Sequence, residues 1–175
     1  MSYMKNTVCF TGHRPQNLSF GFDEDHPDCI ILKHELEKTI RMLIEEKDAA
    51  HFISGAALGV DMWAMEIVLK LKCEYPDITL ESAVHCRTQS ERWSDGSKAR
   101  YDKLLSLCDK VTVLQEAYTP ECMMHRNRYM VDSSDFVIAV WNGKSSGTGN
   151  TVRYAQRNGK TVYRIDTVNF NTQML

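Results

Sequence analysis

The 175-residue chain carries 43% hydrophobic and 25% charged residues, the balance of an ordinary soluble globular domain and not of a disordered segment. Its 21 basic and 23 acidic side chains leave a formal charge of −2, so no overall electrostatic grip on nucleic acid is expected, and nucleic acid is read as an unlikely partner. No run approaches the roughly 20 apolar residues of a membrane span. The first residues lack a secretory pattern, and the length fits one domain over residues 1–175, so a cytoplasmic protein without a membrane partner is expected.

In chain order, the first strand signal is the apolar run 7–11, followed by an irregular stretch over 16–28 that reads as a surface loop. Leu32, Leu36, Ile40, Leu43 and Ile44 then mark one face of a helix, with Lys33, Glu37, Arg41 and Glu45 opposite. A strand over 51–54 leads to a helix over 58–74, and a strand over 79–84 leads to a third helical segment through Tyr101, Leu104 and Leu105, broken near Asp95-Gly96. After a strand at 110–114, Thr119-Pro120 reads as a cap with proline in the first helical position. A strand over 136–141, a helix over 151–158 closed by Gly159, and a strand over 161–165 complete the pattern, and the tail after Asp166 is expected to fray.

Strand followed by helix, repeated five times, is the pattern of a parallel sheet buried on both faces. With right-handed crossovers, the expected fold is a Rossmann-like three-layer α/β/α sandwich around a mainly parallel six-stranded sheet. The six cysteines, Cys9, Cys29, Cys73, Cys86, Cys108 and Cys122, form no C-x-x-C pair and no zinc-knuckle spacing with histidine. They are read as reduced packing thiols, and no metal site is expected.

In an open parallel sheet, ligands bind beyond the carboxyl ends of the strands, so the residues after each strand carry the functional signal. After the first come Thr11, Gly12, His13 and Arg14, a tight turn with a hydroxyl and donors suited to an anion. After the second come Ser54, Gly55, Ala56, Gly59 and Asp61, small residues that let backbone amides approach a phosphate at a helix N-terminus. After the fifth come Trp141, Asn142, Gly147, Thr148, Asn150 and Thr151, a second glycine- and hydroxyl-rich entry to a helix. Arg126, early in the preceding helix, is a candidate bidentate partner for phosphate. Each has a plainer reading: a simple turn, a first-turn aspartate favoured by the helix dipole, a solvated arginine, a tryptophan capping the core. Neither G-x-G-x-x-G nor the Walker pattern is present. Recognition of a phosphorylated nucleotide derivative explains three such loops together.

The segments CFTGHRP (9–15), HFISGAALGVDMWA (51–64), RNRYMVDSSDFVIAVWNGK (126–144) and SGTGNTVRYA (146–155) resemble the YpsA/YoqJ-type family of bacterial and phage proteins. That family lies in the SLOG superfamily with the DNA-processing protein DprA and the LONELY GUY phosphoribohydrolases. The resemblance implies a Rossmann-like fold and an ADP-ribose- or NAD-like ligand; no other cofactor is implied. By resemblance to LONELY GUY proteins, Arg126 stands at a catalytic arginine, which gives the alternative of a hydrolase acting on a nucleotide or N-glycosidic bond. Thr151 occupies the place of that family's glutamate, however, and threonine supplies no carboxylate for such chemistry. Resemblance of the Ser54–Asp61 loop to DprA makes single-stranded DNA binding a third choice. Fold analogy alone raises the expectation of a homodimer.

Overall fold

A computed structural model describes residues 4–175 of the chain. Its strands are β1 (Asn6–Gly12), β2 (Ala49–Ser54), β3 (Thr79–Val84), β4 (Lys110–Val113), β5 (Phe136–Val140), β6 (Thr161–Ile165) and β7 (Thr172–Met174). The helices are α1 (Pro27–Lys47), α2 (Val60–Leu71), α3 (Asp95–Leu107), α4 (Cys122–Asp132) and α5 (Gly147–Arg157). The sheet runs β4-β3-β2-β1-β5-β6-β7, parallel except for the last pair.

Both faces of the sheet are buried, and the period-2 geometry of a strand divides its side chains between two cores. Val8 and Phe10 of β1, Phe52 of β2 and Ile138 of β5 pack with Leu32, Leu36, Val68 and Leu104 of α1, α2 and α3. Cys9, Ile53, Val137 and Val162 face the other way, onto Met130 and Val131 of α4 and Val152 and Ala155 of α5. This is the three-layer α/β/α architecture. The order in which strands are added reverses at β1, which pairs in parallel with β2 on one side and β5 on the other. In open α/β sheets such a switch point opens a crevice between neighbouring strand-to-helix loops.

Five local expectations are corrected. The sheet has seven strands, not six, because the tail does not fray. Asp166 accepts hydrogen bonds from the Val168 and Asn169 amides, and the turn it closes returns β7 antiparallel against β6. The stretch 16–28 is more than a surface loop: Leu18 and Phe20 are buried, with Phe20 against Trp63. Asp95-Gly96 opens α3 instead of breaking it, because the Ser94 hydroxyl accepts from the Ser97 amide as an N-cap. Finally, α4 begins at Cys122, beyond Thr119-Pro120, and α5 begins at Gly147, where Ser146 Oγ caps the Gly149 amide. Among the described residues no helix is long and apolar enough to cross a membrane.

Candidate functional site

A cavity of about 620 Å³ lies at the switch point beside the end of β1 and runs out between α4 and α5. Two close approaches shape its floor. A Cβ on Gly12 would sit 2.7 Å from Val60 Cγ1, so only glycine lets the end of β1 meet the start of α2. A Cβ on Gly55 would lie 2.6 Å from Arg126 Cζ, so glycine lets the guanidinium rest on the β2–α2 backbone. There Arg126 Nη1 donates to the Gly55 carbonyl at 2.8 Å, and its Nε donates to Asn127 Oδ1 at 3.0 Å.

Arg126 is buried, and so is Asp61, whose Oδ2 accepts from the Ala57 amide at 3.2 Å. Burial raises the Asp61 pKa, and the charge of Arg126 works against that rise. Burial lowers the Arg126 pKa while Asp61 supports it, and Arg14 lowers it further. Two arginines therefore share the floor with a single buried carboxylate. Arg14 donates to Met123 Sδ at 3.4 Å and has no carboxylate at salt-bridge distance among the described residues. Farther out, Arg128, Arg153 and Arg157 line the walls, so five guanidiniums surround a cavity whose lining contains one acid, Asp61. The first turn of α5, with Gly147 and Thr148, opens on the same space and adds the positive end of a helix dipole.

Of the residues singled out by sequence, Thr11, Gly12, His13, Arg14, Asp61, Arg126, Gly147, Thr148, Asn150 and Thr151 line this cavity together. The others lie outside the lining and support it. Ser54 Oγ donates to the Asp61 carbonyl and accepts from the Ala56 amide, which holds Ala56 in a left-handed conformation (φ 54°). Gly59 is the N-cap of α2, packed on Pro15. Trp141 donates through Nε1 to the Lys144 carbonyl at 2.7 Å and is covered by Arg164, so it braces its loop. Asn142 Oδ1 accepts from the Lys144 amide, and its own amide donates to His13 Nε2 at 3.1 Å. His13 thus joins the ends of β1 and β5 with Nε2 as an acceptor; burial lowers its pKa and keeps the ring neutral. Within the lining, Thr151 Oγ1 donates to the Gly147 carbonyl, a helix-internal role.

Sequence reasoning missed Arg128, Arg153, Arg157 and Tyr154. Arg153 and Arg157 stand four apart on a helix whose opposite face, through Val152 and Ala155, is core. Their i, i+4 spacing was the available signal. It also missed a buried trio, His85, Cys86 and Cys122, brought together from the end of β3 and the start of α4. Burial, with the charges of Arg126 and Arg14, pushes His85 down to about 4.

The chain is similar to known proteins in sequence and in fold. The chain is 32% identical over 144 residues to the uncharacterised SPbeta prophage-derived protein YoqJ of Bacillus subtilis, covering 75% of this chain and 84% of that one. A UPF0398 protein of Bacillus cereus strain B4264 is 30% identical over 143 residues, 81% of this chain and 77% of that one. Among solved structures, DNA processing protein A from Helicobacter pylori, described in a single-stranded DNA binding mode, superposes with a TM-score of 0.61. It shares 21% identity over 94% of this chain and 70% of its own. The expectation that nucleic acid is an unlikely partner is therefore withdrawn. A protein of the same fold binds single-stranded DNA, and a net charge of −2 says little when five arginines gather at one cavity. The YspA SLOG family model matches residues 8–173, and the chain belongs to that family.

Proposed function

We propose that the chain binds a phosphate-bearing nucleotide derivative of the ADP-ribose or NAD type in the cavity between α4 and α5. One observation carries this reading: Arg14, Arg126, Arg128, Arg153 and Arg157 converge where the lining offers a single buried carboxylate. Like charges held in one cavity repel one another, and an incoming polyanion relieves that repulsion through charge-assisted, bidentate hydrogen bonds. The α5 N-terminus supplies amides for a phosphate, and Asn150 and Thr148 supply polar groups for a ribose. A volume near 620 Å³ falls within the range of small-ligand pockets. The six unpaired cysteines support a reducing, cytoplasmic setting.

A second reading, a strand of nucleic acid, is favoured by Arg153 and Arg157, which carry the cationic lining outward along α5. Calorimetry against ADP-ribose, NAD, AMP, adenosine and a short oligothymidylate separates the two. The nucleotide reading expects saturable heat with the phosphate-bearing small molecules, none with adenosine, and a higher melting temperature by mass action. Heat from the oligonucleotide alone selects the second reading, and no heat from any phosphate-bearing compound overturns both.

A further inference from the structure

A second cluster lies beside the cavity but outside its lining: His85 and Cys86, just after β3, and Cys122, the first residue of α4. All three are buried, and their ligating atoms lie within 4.8 Å of one another. Cys122 Sγ is 3.2 Å from His85 Nδ1. We propose that these three side chains form a site for a thiophilic d10 metal ion, with Zn2+ the natural occupant and a fourth coordination position left to a non-protein ligand.

Donor chemistry supports a metal of this class. Two thiolates and an imidazole suit zinc, which takes sulfur at about 2.3 Å and nitrogen at about 2.0 Å in a tetrahedron. The corresponding ligand-to-ligand edges are about 3.5–3.8 Å, so separations within 4.8 Å shorten by no more than about 1.3 Å, while the 3.2 Å Cys122–His85 contact opens slightly. Charge balance agrees: two thiolates cancel a divalent ion, so the loaded site adds no positive charge next to Arg126 and Arg14. A Cys–His nucleophile is the other use of such a pair, but the Cys122 side chain is wholly buried and no substrate can reach it. A metal ion needs no such access once bound. The sequence hid the site because its ligands are separated by 36 residues and none forms a local zinc-binding spacing.

The site has a mechanical consequence. Cys122 stands one helical turn ahead of Arg126 on α4, so a metal there ties the segment after β3 to the helix that carries the cavity's buried cation. Gln89, from the same segment, already donates to the Gly55 carbonyl that accepts from Arg126.

Titration of the reduced full chain with Co2+ tests the assignment. The expected result is one equivalent bound, with a thiolate-to-cobalt charge-transfer band and tetrahedral visible bands, displaced by Zn2+. The signal is lost in Cys86→Ser and in Cys122→Ser and retained in Cys73→Ser, whose thiol is exposed and not one of the trio. Should the buried Cys122→Ser chain fail to fold by circular dichroism, X-ray absorption at the zinc edge of the wild-type chain decides. Two sulfurs and a nitrogen in the first shell support the site, and a shell of nitrogen and oxygen alone overturns it. Absence of the charge-transfer band, its persistence in Cys86→Ser, or a Cys86–Cys122 disulfide that takes up no metal after reduction also overturns it.

Discussion

The two sides of the sheet treat charge in opposite ways. Across α1, α2 and α3, cations meet carboxylates: Arg41 bridges Glu37 and Glu74, Lys70 joins Glu37, Lys33 reaches Glu24, and Arg100 spans Glu24 and Glu66. Between α4 and α5, Arg14, Arg126, Arg128, Arg153 and Arg157 line a cavity and none has a carboxylate at salt-bridge distance among the described residues. The first arrangement is self-sufficient, with each charge neutralised by the chain itself. The second leaves five guanidiniums facing a single acid, Asp61, and under the proposed function an anion balances them. The molecule's net charge averages over these two regions and so describes neither.

Substitutions on the two sides sharpen the contrast. The largest effect is expected from Arg126→Ala, which leaves the buried Gly55 carbonyl without its donor and removes the positive charge that favours the Asp61 carboxylate, and should lower unfolding stability by about 3 kcal/mol, read from urea denaturation. The same change abolishes nucleotide binding in a calorimeter. Gly55→Ala places a methyl group against Arg126 Cζ and should cost about 2 kcal/mol through overpacking, with weakened binding as the guanidinium is displaced.

Effects on binding alone come next. Arg153→Glu should weaken ADP-ribose at least about tenfold, or about 1.4 kcal/mol, with an unchanged melting temperature. Raising salt should weaken that binding too, as screening predicts for exposed guanidiniums.

Acid stability separates a third group from both. Burial disfavours the Glu81 carboxylate, but hydrogen bonds from His51, Tyr129 and Thr112, with the charge of Lys110, outweigh it and hold its pKa near about 2. Folded Glu81 therefore stays ionised where the unfolded chain takes up a proton. Its stabilisation is full above the ordinary value of 4.5 and is lost as pH falls toward about 2. Glu81→Gln should lower stability at pH 7 by about 2 kcal/mol and flatten the acid limb of a urea-midpoint profile. The smallest effect is expected on the paired side. Arg100→Ala, whose partners are half-exposed, should cost no more than about 1 kcal/mol and leave nucleotide binding intact.

Much of this arrangement was legible in the sequence. The α/β alternation and five of the strand-to-helix connections followed from apolar runs and glycines, because those patterns are local. The convergence of the loops after β1 and β5 followed from topology alone, and it placed Arg14, Asp61, Arg126 and Thr148 in one cavity. What was not legible depends on side-chain direction. Trp141 sits at a strand end suited to stacking, yet its indole N–H is committed to Lys144. Ser54 occupies a phosphate-loop position, yet its hydroxyl folds the loop on itself. Arg153 and Arg157 lie past the glycine-rich loop, and only the packing of α5 beside α4 brings them to the cavity. The β7 strand depended on the Asp166 turn, a side-chain-to-backbone contact without hydrophobic periodicity.

The most direct test follows arginine side-chain Nε–H resonances in an isotope-labelled chain during titration with ADP-ribose. The account predicts saturable shifts for Arg14, Arg126 and Arg153, with Arg41 and Arg100 unmoved. Shifts confined to Arg41 and Arg100, or no shifts up to millimolar ligand, would contradict it.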